Sequence, residues 1–129
     1  MRLLLDTHLA LWAVAGSPLL PEVAASSIMD ADEVFVSAAS VWEVAIQHAL
    51  GRGDMPVSPA QAVQAFEDAG YRLLDITARH AAAVADLPAW HRDPFDRLLI
   101  AQAQSEPLIL LTVDGMLGAY GSAVRVLAR

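Results

Sequence analysis

The chain has 129 residues, 56% of them hydrophobic, and 15 acids against eight bases give a formal net charge of −7. That length holds one domain spanning residues 1–129, and the absence of cysteine excludes disulfides, thiolate metal sites and cysteine nucleophiles while fitting a reducing compartment. The charge excludes a protein that grips nucleic acid by bulk electrostatics, yet leaves open an acidic site that reaches phosphates through bound cations.

Short apolar runs alternate with helical patterns along the chain, which predicts α/β layering. "RLLL" at Arg2 to Leu5 reads as the first strand, followed by a helix through "THLALWAVAG" that Gly16 and Pro18 stop. A second helix is expected over roughly Pro21 to Met29. "EVFVS" at Glu33 to Ser37 reads as the second strand, and "AASVWEVAIQHALG" as a helix closed by Gly51. "SPAQAVQAFEDAG" opens on a Ser58 cap with Pro59 behind it and ends at Gly70. "YRLLDI" is expected to be the third strand, with a helix from Thr77 towards Leu87 after it. A helix starts at Pro94, "PLILLTVD" reads as a fourth strand buried on both faces, and "AVRVL" as the fifth. Strands separated by helices pair in parallel through right-handed crossovers, so a ligand site is expected beyond their C-terminal ends.

Acids stand at that edge. Asp6 follows the first strand directly and Asp114 stands just past the fourth. Glu43 has Ala39 at i−4, Ile46 at i+3 and Leu50 at i+7, which assigns it to a core-facing stripe. In "HRDPFDRLLIAQAQ", Asp93 sits where an N-cap belongs and Pro94 suits the first turn, but Asp96 is followed by Leu99, Ile100 and Ala103 at i+3, i+4 and i+7. A cap explains Asp93 and leaves a charge at Asp96 crowning an apolar stripe. Taken singly, Asp6 and Asp114 are explained as caps and Glu43 as a side chain reaching outward. Four converging carboxylates, however, resist ionising together unless a cation is present. With oxygen donors and no paired histidines at ligand spacing, the set suits Mg²⁺ or Mn²⁺ rather than zinc.

Thr7, Ser37 and Thr112 stand beside these acids and are expected to orient carboxylates from behind. His8 and His91 adjoin the acids, in reach of a substrate, but surface or cap roles are expected for them and for His48 and His80. Trp12, Trp42 and Trp90 read as core or groove residues. An acidic, cation-loaded pocket suits phosphoryl chemistry, with one carboxylate free to accept a proton from water.

No stretch reads as a membrane span, because Gly16, Ser17 and Pro18 break the longest uncharged run, Thr7 to Pro21. Asp6 interrupts what would be the apolar part of a secretory leader, so a cytoplasmic location is expected. Helices this rich in Ala and Leu leave apolar surface over, which predicts a partner or an oligomer.

"LLLDTHLALWAV", "VSAASVWEVAIQHALG", "HRDPFDRLLIAQA" and "LLTVDGMLGAYG" resemble, in order and almost end to end, the signature blocks of PIN-domain proteins, specifically the VapC-type toxins of bacterial toxin–antitoxin pairs. The resemblance implies a PIN-like three-layer sandwich with a five-stranded parallel sheet flanked by helices. It also implies a Mg²⁺- or Mn²⁺-dependent endoribonuclease acting on RNA, neutralised by a cognate antitoxin and expected as a homodimer. By position the family's acids fall on Asp6, Glu43, Asp96 and Asp114, with Asp93 as a further contributor. A receiver domain is excluded because the chain has no lysine, and an aspartate phosphatase because His8 stands where its second Asp belongs. A DNA nuclease and a catalytically inactive protein-binding module of the same fold remain open, since water activated by a metal needs no 2′-hydroxyl.

Overall fold

A computed structural model describes residues 1–51 and 57–128. Its strands are β1 (Arg2–Leu5), β2 (Glu33–Ser37), β3 (Arg72–Leu74), β4 (Ile109–Thr112) and β5 (Val124–Val126). All pair in parallel, in the order β3-β2-β1-β4-β5, with Leu4 opposite Phe35 on one side and Leu110 on the other. The helices are α1 (Thr7–Ala15), α2 (Glu22–Asp30), α3 (Ala38–Ala49), α4 (Pro59–Asp68), α5 (Ala78–Ala83) and α6 (Pro94–Ser105).

The pleat of β1 divides the core. Leu3 and Leu5 face one layer, where they join Leu9 of α1, Ala24 of α2 and Phe66 of α4; Leu4 faces the other, with Leu99 and Ile100 of α6. Because β1 is covered on both faces, its three leucines are fully buried, each contributing roughly 1.5–3 kcal/mol. Local signals set the helix ends. Gly16 stops α1 in the left-handed region at φ 61°, and Ser58 and Gln61 form a reciprocal capping box at the start of α4. Among the described residues, no helix is long and apolar enough to cross a membrane.

Three elements differ from the sequence reading. The third strand is only Arg72–Leu74, since it lies at the sheet edge and the chain leaves it before Asp75. The helix expected from Thr77 towards Leu87 is split into α5 and a 3₁₀ turn at Val84–Asp86, where the carbonyls of Val84 and Leu87 accept hydrogen bonds from Arg97 instead of continuing an α-helix. A further 3₁₀ turn, Gly115–Tyr120, joins β4 to β5; it was not anticipated, because its tightness depends on burial of Leu117 and Tyr120 against α6 and its neighbours.

Candidate active site

The chain runs from β1 outward through β2 to β3, then returns to β4 on the other side of β1. The crevice at such a reversal lies past the C-terminal ends of β1 and β4. Asp6 and Asp114 stand on its two sides. Asp6 Oδ1 accepts from the backbone of His8 at 2.9 Å and Leu9 at 3.4 Å, capping α1, while Oδ2 accepts from the Thr112 hydroxyl at 2.6 Å. That hydroxyl also accepts from the Asp114 N–H at 3.0 Å. Asp114 in turn caps the 3₁₀ turn through Met116 N at 3.0 Å. Capping and convergence on the crevice are therefore compatible: each aspartate uses one oxygen on its helix, and both residues line the cavity.

Glu43 arrives from α3, though not by the stripe its spacing suggested. Ile46 is 38% and Leu50 63% exposed, and the buried face of α3 carries Ala39, Ser40 and Val44. Glu43 is half-buried because polar partners draw it inward. The Thr7 hydroxyl donates to Oε1 at 2.7 Å and shares a 2.8 Å hydrogen bond with Ser40 Oγ, and Gln47 donates to Oε2 at 3.5 Å. Burial pushes the Glu43 carboxyl above its ordinary range against the pull of the Thr7 bond, and the charges of Asp93 and Asp6 push the same way.

Asp96 stands in the first turn of α6, above the buried Leu99, Ile100 and Ala103. Asp93 is the N-cap of that helix, accepting from Phe95 N at 2.9 Å and Asp96 N at 3.0 Å. Burial raises the Asp96 pKa to about 6, helped by repulsion from Asp93 and Asp6 and opposed by a 2.8 Å hydrogen bond with His91 Nε2. Ligand atoms of His91, Asp96 and Asp114 lie within 4.8 Å of one another, which matches the span of donors around one cation.

Asp6, Glu43, Asp93, Asp96 and Asp114 line one cavity of about 480 Å³, with Thr7, His8, Trp12 and Val113 completing its wall. Among the described residues, no arginine pairs with any of these carboxylates; the ion pairs of Arg2 and Arg72 lie at the other end of the sheet. Hard oxygen donors crowded together, two of them resisting ionisation, fit a divalent cation.

Several sequence readings need correction. Ser37 does not orient a carboxylate: its Oγ accepts from Ala39 N at 2.9 Å and caps α3, and the hydroxyl that meets Thr7 belongs to Ser40, one turn later. Trp12 fits the core-or-groove reading through the cavity wall and Trp42 through a separate apolar groove, where it meets Phe95 edge-on at 5.2 Å, whereas Trp90 is 59% exposed and lies against Tyr120. His80 is a cap, as expected, but a buried one, its ring closing a capping box with Thr77 and facing Glu106 and Gln102. Ser40, Gln47 and the Asp96 contact of His91 were missed. The i, i+4 spacing of Glu43 and Gln47 was visible; the His91 contact was not, because it lies in irregular chain.

A family model described as PIN domain matches residues 3–121. The chain is 32% identical over 118 residues to Ribonuclease VapC22 of Mycobacterium tuberculosis, covering 91% of this chain and 90% of that protein. In fold it is similar to VapBC2 from Rickettsia felis, solved bound to a DNA fragment from its promoter, with a TM-score of 0.67, 14% identity, and 99% and 98% of the two chains covered. A toxin–antitoxin complex from Klebsiella pneumoniae is similar at a TM-score of 0.68, 17% identity and 95% coverage of each chain.

Proposed function

The chain belongs to the PIN-domain family, and on that premise we propose that it is a Mg²⁺- or Mn²⁺-dependent endoribonuclease acting as the toxin of a toxin–antitoxin pair. The observation that carries this reading is the gathering of Asp6, Glu43, Asp96 and Asp114 on one cavity that no arginine neutralises among the described residues. In this reading those four carboxylates hold the cation, and Thr7 and Thr112 orient Glu43 and Asp6 from behind. When bound, the cation supplies Lewis acidity that neutralises the scissile phosphate and makes water a stronger nucleophile. A carboxylate of this set that keeps one oxygen off the cation can take the proton released as water attacks. Asp93 keeps the Asp96 end of α6 in place.

The reading extends to partners. Beside the acidic cavity lies an apolar groove of about 330 Å³, bounded by Leu11, Trp12 and Val14 of α1 and by Ala62 and Ala65 of α4. It suits an apolar antitoxin segment, with a basic side chain reaching the carboxylates. The relatives described as toxin–antitoxin complexes support such a partner, and we extend the reading to a single cytoplasmic domain working as a homodimer.

The test incubates purified protein with single-stranded RNA and with single-stranded DNA, each with Mg²⁺, with Mn²⁺ and with chelator. Cleavage of RNA that needs the cation and is lost in Asp6→Asn supports the reading. Cleavage of DNA alone would replace it by a DNA nuclease, and inertness of the wild type with every cation by a binding module.

A further inference from the structure

We infer that His91 is a positioning residue for the cation site, holding Asp96 by one carboxylate oxygen so that the other faces the cavity; the inference rests on the proposed metal-dependent reading. His91 Nε2 lies 2.8 Å from Asp96 Oδ2. An ionised carboxylate only accepts, so this nitrogen carries the proton and donates it, and a protonated ring nitrogen has no lone pair for a cation. One lone pair of Oδ2 is thereby taken up, and Oδ1 is assigned to the cation.

The surroundings of His91 are built to keep it there. It lies in the irregular segment between the 3₁₀ turn at Val84–Asp86 and α6, where backbone polar groups need partners from elsewhere. Arg97, the residue after Asp96, gives them: Nη1 donates to the carbonyls of Pro88 at 2.8 Å and His91 at 3.3 Å, and Nη2 to those of Val84 at 3.1 Å and Leu87 at 3.4 Å. The buried Tyr120 hydroxyl accepts from His91 N at 2.9 Å and donates to Pro88 O at 2.9 Å. Tyr120 ends the 3₁₀ turn that Asp114 caps. One short piece of chain thus links Asp114 to the anchor of His91, and His91 to Asp96. Fixing a carboxylate in this way spares the site the entropy of ordering it when a cation arrives, as outer partners of metal ligands do.

Calorimetric titration of the full-length protein with Mg²⁺ and with Mn²⁺ tests this without any turnover. His91→Ala should weaken both cations by a similar factor, roughly 10- to 100-fold. His91→Gln, whose amide can donate from the same place, should recover most of the loss. Tyr120→Phe keeps the ring and loses the anchor, and should weaken both cations by a smaller factor even if His91→Ala proves too unstable to titrate. Unchanged affinity in His91→Ala and Tyr120→Phe, while Asp96→Asn loses binding, overturns the inference and leaves the proposed function standing. Selective loss of Mn²⁺ without rescue by glutamine also overturns it, by making His91 a direct ligand. If Asp6→Asn and Asp96→Asn both bind as the wild type does, the metal-dependent reading itself fails.

Discussion

The two ends of the sheet carry acids in opposite electrostatic settings. At the N-terminal end Asp32 meets the Met1 ammonium, and Glu33 lies between two guanidiniums, Arg2 at 3.0 Å and Arg72. Both carboxyls are held below their ordinary range, Asp32 by the terminal ammonium and Glu33 first by Arg72 and then by Arg2. Parallel register brings this about, setting Arg2 opposite Glu33, and Arg72 opposite Phe35, whose ring both guanidiniums cover at 5.2 and 5.6 Å. At the C-terminal end the acids face each other, and Glu43 and Asp96 are pushed up. Residue type is the same at both ends; on the proposed reading, whether a cation comes from the chain or from solution separates a structural acid from a functional one.

The widest separation is expected in activity. Asp96→Asn removes charge from the unpaired end, and should lower metal-dependent RNA cleavage about 100-fold or more while the metal-free protein melts no lower than the wild type. Glu33→Gln removes charge from the paired end, and should leave cleavage unchanged while lowering the melting temperature, because two arginines lose their partner. Cleavage assays beside thermal melts decide it, and equal loss of activity in the two variants would erase the distinction.

The ends should also respond to pH with opposite sign. Asp96 has a pKa of about 6 when folded against 3.8 as a free side chain, so between those values the folded state binds more protons. Stability of the metal-free protein attributable to Asp96 is therefore greatest below about pH 4 and falls as pH rises to about 6, by at most roughly 3 kcal/mol. Asp32 and Glu33, with lowered values, contribute stability that is present above their ordinary 3.8 and 4.5 and is lost as pH falls through their folded values. Urea unfolding in chelator from pH 3 to 7 should show Asp96→Asn flattening the upper slope and Glu33→Gln the acid limb. Saturating Mg²⁺ should flatten the upper slope in the wild type, since the cation holds Asp96 ionised.

Much of this geometry was legible because it is local. Asp6 and Asp114 follow apolar strands directly, and the Leu99, Ile100 and Ala103 pattern sets the rotation of Asp96 in α6 without reference to the rest of the fold. Glu43 reached the cavity on an argument that does not hold, since Ile46 and Leu50 face outward; its inward pull comes from Thr7, 36 residues away in sequence. No periodicity encodes such a contact. Arg97, Tyr120 and His91 were opaque for the same reason: they join an irregular segment to a helix and to a distant turn, and a hydrogen bond to a backbone carbonyl leaves no residue signature at its acceptor. Ser37 and Ser40 are both hydroxyls near Glu43, and only the start of α3 at Ala38 decides which is the cap.

Thr7 offers a finer test of the unpaired end, because it acts on a carboxylate without being one. Thr7→Val keeps the shape and removes the hydrogen bond to Glu43 Oε1. The Glu43 carboxyl should rise further, since burial then acts unopposed by that bond, so Mn²⁺ affinity should fall, and fall more the lower the pH. The deficit should shrink as pH is raised; one that stays constant with pH would mean that Thr7 shapes the cavity wall rather than the charge of Glu43.

The smallest effect is expected at Asp93, which lines the cavity yet spends one oxygen on the N–H groups of Phe95 and Asp96. Asp93→Ala removes the cap and should cost about 1 kcal/mol, the same as Ser37→Ala at the start of α3. It also removes a negative charge that repels Glu43 and Asp96, so the loss of any share in holding the cation is offset by easier ionisation of its neighbours. Both variants should therefore unfold at slightly lower urea concentration and cleave RNA within a few-fold of the wild type. A stable Asp93→Ala that no longer cleaves would place Asp93 among the cation's ligands and move the boundary between capping and catalysis three residues towards the start of α6.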